Sequence, residues 1–128
     1  MLLAGCIGGG SSTSQPTKQV EEKPLPNYEI FNVEKDHIGS TTRVFASVAT
    51  SLDLTQDDVL RISKAIVKEI TSKENVDVIF INFYESEKDY NAGYPSFAGL
   101  EWDYSTNEYK ITRWDVETYK KLKEIEKK

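Results

Sequence analysis

Residues 55–84 constrain this chain more than any other stretch, because an amphipathic helix there runs almost directly into a near-continuous apolar strand. Thr55 followed by Asp58 offers a hydroxyl cap with an acid three residues on, and Asp57 and Asp58 suit the positive end of a helix dipole. Val59, Ile62, Ile66 and Ile70 then recur at helical spacing, with Leu60 and Val67 widening the stripe, and Asp57 with Arg61 forms a surface pair four apart. The spacing predicts a helix over 55–73. Val76 to Tyr84 follows as a near-continuous apolar run, which reads as a central strand with both faces largely covered, or with one face covered and the other half covered. A single apolar stripe on one helix needs one sheet face to bury it.

Strands are expected on both sides of this unit. Tyr28–Glu34 and Arg43–Ala49 read as a pair around a turn at 36–40 that carries Gly39. In the second strand Val44, Ala46 and Val48 share one face, and Phe45, Ser47 and Ala49 the other. Residues 85–96 read as an acidic, aromatic loop. Phe97–Tyr104 and Glu108–Trp114 form a hairpin around Ser105-Thr106-Asn107. Asp115 is placed to cap a terminal helix over 116–127, with Val116, Tyr119, Leu122 and Ile125 along one side. The expected fold is α+β, in the order β-β-α-β-β-β. It has an antiparallel sheet of about five strands, one long helix on a face and a C-terminal amphipathic helix.

Composition divides the 128 residues into 1–27 and a single α+β domain at 28–128. Residues 1–27 hold four of seven glycines, three of four prolines and none of the fourteen aromatics. Charge is divided as well. Residues 28–114 carry nine basic against fifteen acidic side chains, whereas 115–128 carry five lysines against four acids. A domain that acidic lacks the clustered Lys and Arg that nucleic-acid phosphates need, and it does not adsorb to anionic lipid by charge.

Cys6 is the single cysteine, so neither a disulfide framework nor a cysteine metal cluster is expected. Leu3-Ala4-Gly5-Cys6 has a branched apolar residue and two small residues before the thiol, and it resembles the lipobox of bacterial and archaeal lipoproteins. The resemblance implies cleavage before Cys6, a lipid on its sulfur and a location in the cell envelope, with the domain facing outside the cytoplasm. Gly8-Gly9-Gly10-Ser11-Ser12 and the prolines at 16, 24 and 26 then read as a tether. Only Met1 and Leu2 precede the box, where an export signal carries a basic segment and about 7–15 apolar residues. The expectation is a signal whose start has been cut, misassigned or trimmed to begin near the cleavage site. Residues 28–114 are also similar to a small family of uncharacterised prokaryotic domains found on lipoproteins. The likeness lies in the strand pair, Leu54-Thr55-Gln56-Asp57-Asp58, Phe83-Tyr84 and Ala98-Gly99-Leu100-Glu101-Trp102. It implies an α+β domain at the surface and no particular activity.

Catalytic constellations are scarce. His37 is the single histidine and sits beside Asp36 in the expected turn, with no partner spacing for zinc or for a Ser-His-acid set. Glu101 and Asp103 share a strand face about 7 Å apart, so a carboxylate-dependent hydrolase can be drawn, although alternating acids also mark the solvent face of a strand. Residues 85–91 lack the register of a calcium loop, and no phosphate loop is present. No cofactor is expected. The aromatics are the remaining signal. Tyr84, Tyr90, Tyr94 and Phe97 gather around the 85–96 loop, and aromatics either fill a small core or form a recognition patch. Tyr90 and Tyr94, set among charges, are expected to face outward. The reading that results is a non-enzymatic, lipid-anchored domain that binds a protein, peptide or other ligand; the alternatives are the small hydrolase and a structural part of a surface assembly.

Overall fold

Thr55 caps the central helix as its sequence requires. Its hydroxyl accepts from the Asp58 N–H at 3.1 Å, and the Asp58 carboxylate accepts from the Thr55 N–H at 3.0 Å, a reciprocal capping box. The computed structural model describes residues 24–126. In chain order it has β1 (Tyr28–Ile38), β2 (Thr41–Thr50), α1 (Gln56–Thr71), β3 (Val78–Tyr84), α2 (Glu87–Asn91), β4 (Ala98–Asp103), β5 (Glu108–Trp114) and α3 (Val116–Glu126). The lipobox, Cys6 and most of the expected tether lie outside the described residues.

The fold is α+β with a five-stranded sheet in the order β1-β2-β3-β4-β5. The expected all-antiparallel sheet is corrected at one step, because β2 and β3 run parallel, pairing Arg43 with Val78 and Ala49 with Tyr84. The sheet is therefore mixed. The physical reason is α1 itself. Its 16 residues rise about 24 Å, enough to carry the chain back along β2, so β3 starts from the same end as β2 did. The expectation of one long helix and a C-terminal helix is corrected by a third. Helical residues are shared among α1, a five-residue α2 inside the supposed 85–96 loop, and the 11-residue α3.

Alternation along the strands sets two faces. Val44, Ala46 and Val48 of β2, Ile79, Ile81 and Phe83 of β3, and Ala98, Leu100 and Trp102 of β4 are buried on one face. Val59, Ile62, Ile66 and Val67 of α1 join them in one core, as do Val116 and Tyr119 of α3. Burying an aliphatic side chain of this kind stabilises by about 1.5–3 kcal/mol before chain entropy is charged against it. Two turns hold the hairpins. Gly39 has φ +61° at the first of two central positions between β1 and β2, where L side chains are strained. Asn107, at φ 55°, closes the β4–β5 turn and accepts from Trp102 Nε1 at 2.9 Å, which pins the indole to its own turn. Asp115 does not serve as the side-chain cap expected for α3. Its carboxylate pairs with Arg113 at 3.2 Å, while its carbonyl accepts from the Tyr119 N–H.

Candidate functional site

The second sheet face carries no helix packed along it among the described residues. The register places its side chains in rows that run across the strands. One row is Asp36, Arg43, Val78, Asp103 and Glu108; the next is Glu34, Phe45, Phe80, Glu101 and Lys110. Phe45 and Phe80 are register partners and stack, with ring centroids 5.1 Å apart and planes 11° from parallel. Arg43 lies over the Phe45 ring at 5.2 Å while its guanidinium holds Asp36 at 2.7 Å. That contact lowers the Asp36 carboxyl below its ordinary range.

At the end of the sheet where β1 begins and β3 ends, a second aromatic group forms. Phe31 is the extra residue of a β-bulge between Ile30 and Asn32, and the bulge turns it toward the open face. Its ring centroid lies 6.0 Å from that of Tyr84 and 5.2 Å from that of Tyr90; Tyr84 and Tyr90 are 5.3 Å apart, all in edge contact. Burial, then the neighbouring Tyr90, raises the Tyr84 pKa, with Arg113 opposing.

The four aromatics singled out around residues 85–96 therefore separate. Tyr84 and Tyr90 belong to the open-face group and are half-buried. Tyr94 and Phe97 lie with α3, where their rings are each 5.4 Å from Tyr119. Phe97 is fully buried and packs in the core. Tyr94 is half-buried and donates its hydroxyl to Glu126, which raises its pKa.

Between these groups lies a polar cluster that sequence reasoning missed. Asp89 on α2 is 4 % exposed. It accepts from the Tyr119 hydroxyl and from Lys123 Nζ at 2.9 and 3.0 Å, and Lys123 also reaches Glu85 at 3.2 Å. The Glu85 N–H donates to the same Tyr119 oxygen at 3.2 Å. Burial chiefly, with the Asp89 carboxylate adding to it, pushes the Tyr119 pKa well above the usual phenol range, and the hydrogen bond to Asp89 raises Lys123. Every member has a partner, so the cluster ties α2 to α3. Its signal was present in Ser86-Glu87-Lys88-Asp89, since the Ser86 hydroxyl accepts from the Asp89 N–H at 3.1 Å and opens α2.

The other marked residues have structural employment. Asp103 accepts from the Ser105 N–H at 2.8 Å and from its hydroxyl at 2.6 Å. Those bonds lower its pKa, the reverse of what a general acid needs. His37 faces the Thr42 hydroxyl at 3.2 Å beside the hairpin turn. No three His, Cys, Asp or Glu side chains among the described residues converge as a metal ion requires, and no helix there is long and apolar enough to cross a membrane.

Depressions also lie off the open face of the sheet. One of about 440 Å³ runs between Leu52–Leu54 and the start of α3, and one of about 400 Å³ lies between Tyr94-Pro95 and Leu122 and Ile125 of α3. Neither gathers nucleophiles with a base. Compared with known protein families, curated proteins and solved structures, nothing matches this chain.

Proposed function

We propose that this chain is a non-enzymatic binding domain of the cell envelope, held at the membrane by lipid on Cys6, that receives its ligand on the helix-free face of the sheet. One observation carries the binding half. Helices α1 and α3 contribute to the core on one side of the sheet, and five aromatics (Phe31, Phe45, Phe80 and Tyr84 of the strands and Tyr90 of α2) stand half-buried on or beside the other. Aromatic side chains left partly in water at adjacent positions on a rigid strand scaffold are the usual makings of a recognition surface. The lipobox Leu3-Ala4-Gly5-Cys6 supports the anchoring half. A two-chain lipid of the kind lipoproteins carry is what makes such an anchor stable, since one acyl chain binds a bilayer only marginally.

Two measurements test this. Growth with radioactive lipid precursor labels the chain and leaves Cys6→Ser unlabelled; equal labelling of both overturns the anchor. For the binding half, the Cys6→Ser chain sediments with isolated cell envelopes, and Phe80→Ser with Tyr84→Ser abolishes that sedimentation. Sedimentation unaffected by the two substitutions overturns the assignment of the face.

A further inference from the structure

Helix α3 buries less of its apolar stripe than the sequence promises. Val116 and Tyr119 enter the core, whereas Leu122 is 37 % exposed and Ile125 is 68 % exposed. The spacing is the reason. Each step of three residues falls about 60° short of a full helical turn, so the stripe winds off the core side, and Ile125 stands about 120° around the helix from Tyr119. Leu122 and Ile125 line one depression with Ala92, Tyr94 and Pro95 of the loop after α2. Lys123 Nζ lies 5.4 Å over the Tyr94 ring while it holds Asp89 and Glu85, so this patch sits on a fixed support.

The patch lies at the end of the sheet where the amino-terminal segment joins the domain. Tyr28 pairs with Thr50, Ala49 with Tyr84, Phe83 with Ala98 and Ala98 with Trp114, so β1 and β4 start there and β2, β3 and β5 end there. Helix α3 follows β5 directly at that end. Asn27, Tyr28 and Glu85 line a common shallow depression, and the Glu85 carboxylate meets Lys123 of α3 at 3.2 Å. The 21 residues 7–27, read as a tether, span about 25 Å, so a lipid on Cys6 keeps a bilayer within reach of this end. Charge divides the chain the same way. Residues 121–128 carry four lysines against two acids, whereas 28–114 carry fifteen acids against nine bases.

We infer that the outer side of α3 rests on the bilayer that holds the lipid, with Leu122, Ile125 and Pro95 entering the headgroup boundary. The inference rests on the lipid anchor proposed above. A helix in that boundary lies with its apolar side down and its lysines at the rim, where they meet lipid phosphates. Tyr94 suits the same place, with a half-buried ring and a hydroxyl at the edge of the patch. Charge alone does not bring so acidic a domain to a membrane; the anchor does. A short tether makes the second contact intramolecular, at an effective concentration on the order of a millimolar, so a contact too weak for a free chain becomes populated. That advantage selects the bilayer over a second copy or a free apolar peptide, both of which arrive from solution. The turns at Gly39 and Asn107, at the other end of the sheet, then project away from the membrane.

The test couples the 128-residue chain through Cys6, its single thiol, to a maleimide lipid. The vesicles are of phosphatidylcholine and phosphatidylglycerol and also carry a phospholipid with a diazirine close to its glycerol. After illumination, lipid adducts are mapped by peptide mass spectrometry. The expected adducts concentrate on residues 92–95 and 119–126 and spare the turns at 38–41 and 104–107. Leu122→Ser with Ile125→Ser, both at exposed positions, keeps the circular dichroism of the parent and lowers those adducts about tenfold. Adducts spread evenly over the domain overturn the inference, as do adducts centred on Phe31, Phe80 and Tyr84 or a yield indifferent to the two substitutions. A dimer of the uncoupled chain in sedimentation equilibrium, abolished by the same substitutions, overturns it in favour of an interface between copies. Equal lipid labelling of the parent and Cys6→Ser in cells removes the anchor and this inference with it, whereas adducts elsewhere on the coupled chain remove this inference alone.

Discussion

Replacing Tyr119 by Phe removes one oxygen from the best-buried polar cluster of the domain and leaves its ring in place. The residue is 1 % exposed, and its ring remains against Phe97 and Tyr94, so no cavity of consequence opens. What is lost is a hydrogen bond to the buried Asp89 carboxylate and one accepted from the Glu85 N–H. Asp89 keeps Lys123 at 2.9 Å, which limits the damage. A hydrogen bond to a charged group contributes about 1.5–3 kcal/mol, and the Glu85 amide lies at an exposed residue where water can replace its acceptor, so the expected cost is about 2 kcal/mol. For a domain of this size that lowers Tm by roughly 8–16 °C, measured by circular dichroism, with a matching fall in the urea midpoint. The pH dependence supplies an independent readout. The Tyr119 phenol is raised above its ordinary value of 10.0, so between those values the folded chain keeps a proton that the unfolded chain gives up. Its contribution is complete below about pH 10 and falls away as pH rises beyond it. Lys123, also raised, acts in the same direction in both chains. The parent must therefore lose stability more steeply than Tyr119→Phe between about pH 9 and 11. A variant within about 0.5 kcal/mol of the parent, or parallel alkaline slopes, refutes the account of this cluster.

Other substitutions probe separate links. Thr55→Ala removes half of the capping box of α1 and is expected to cost about 1 kcal/mol, read from the urea midpoint, while Thr55→Ser keeps nearly all of it. Ser63 is wholly buried in α1 with no partner for its hydroxyl among the described residues, so Ser63→Ala should stabilise by about 0.5–1 kcal/mol and raise Tm; a fall would show that the hydroxyl is satisfied. Gly39→Ala forces a Cβ to φ +61° with nothing nearby to clash, so its cost, about 1 kcal/mol in a thermal melt, isolates backbone strain at the hairpin.

Much of the domain was legible because its signals are local. Periodicity and the Thr55–Asp58 box placed α1 within two residues of its ends, and the alternation of 43–49 separated the two faces of β2 before any partner strand was known. The short helix α2 escaped because five residues have too little periodicity to compete with an acidic, aromatic loop composition. Of the marked aromatics, Tyr84 and Tyr90 meet on the open face and Tyr94 and Phe97 beside α3, although all four lie within fourteen residues of sequence.

Residue order alone determined α1, the five strands and the terminal helix, the inward face of β2 and of α1, and that the central domain is acidic without clustered base. Those properties depend on neighbours within a turn or two of chain. Tertiary structure alone decided that β3 lies parallel to β2, that Asp89 meets Tyr119 and Lys123 some thirty residues away, and that Phe31, Tyr84 and Tyr90 meet on the sheet face where Phe45 stacks on Phe80. A grouping of that kind has no counterpart along the chain. Its residues come from different elements, and only the hydrogen-bonded register of the sheet brings them side by side.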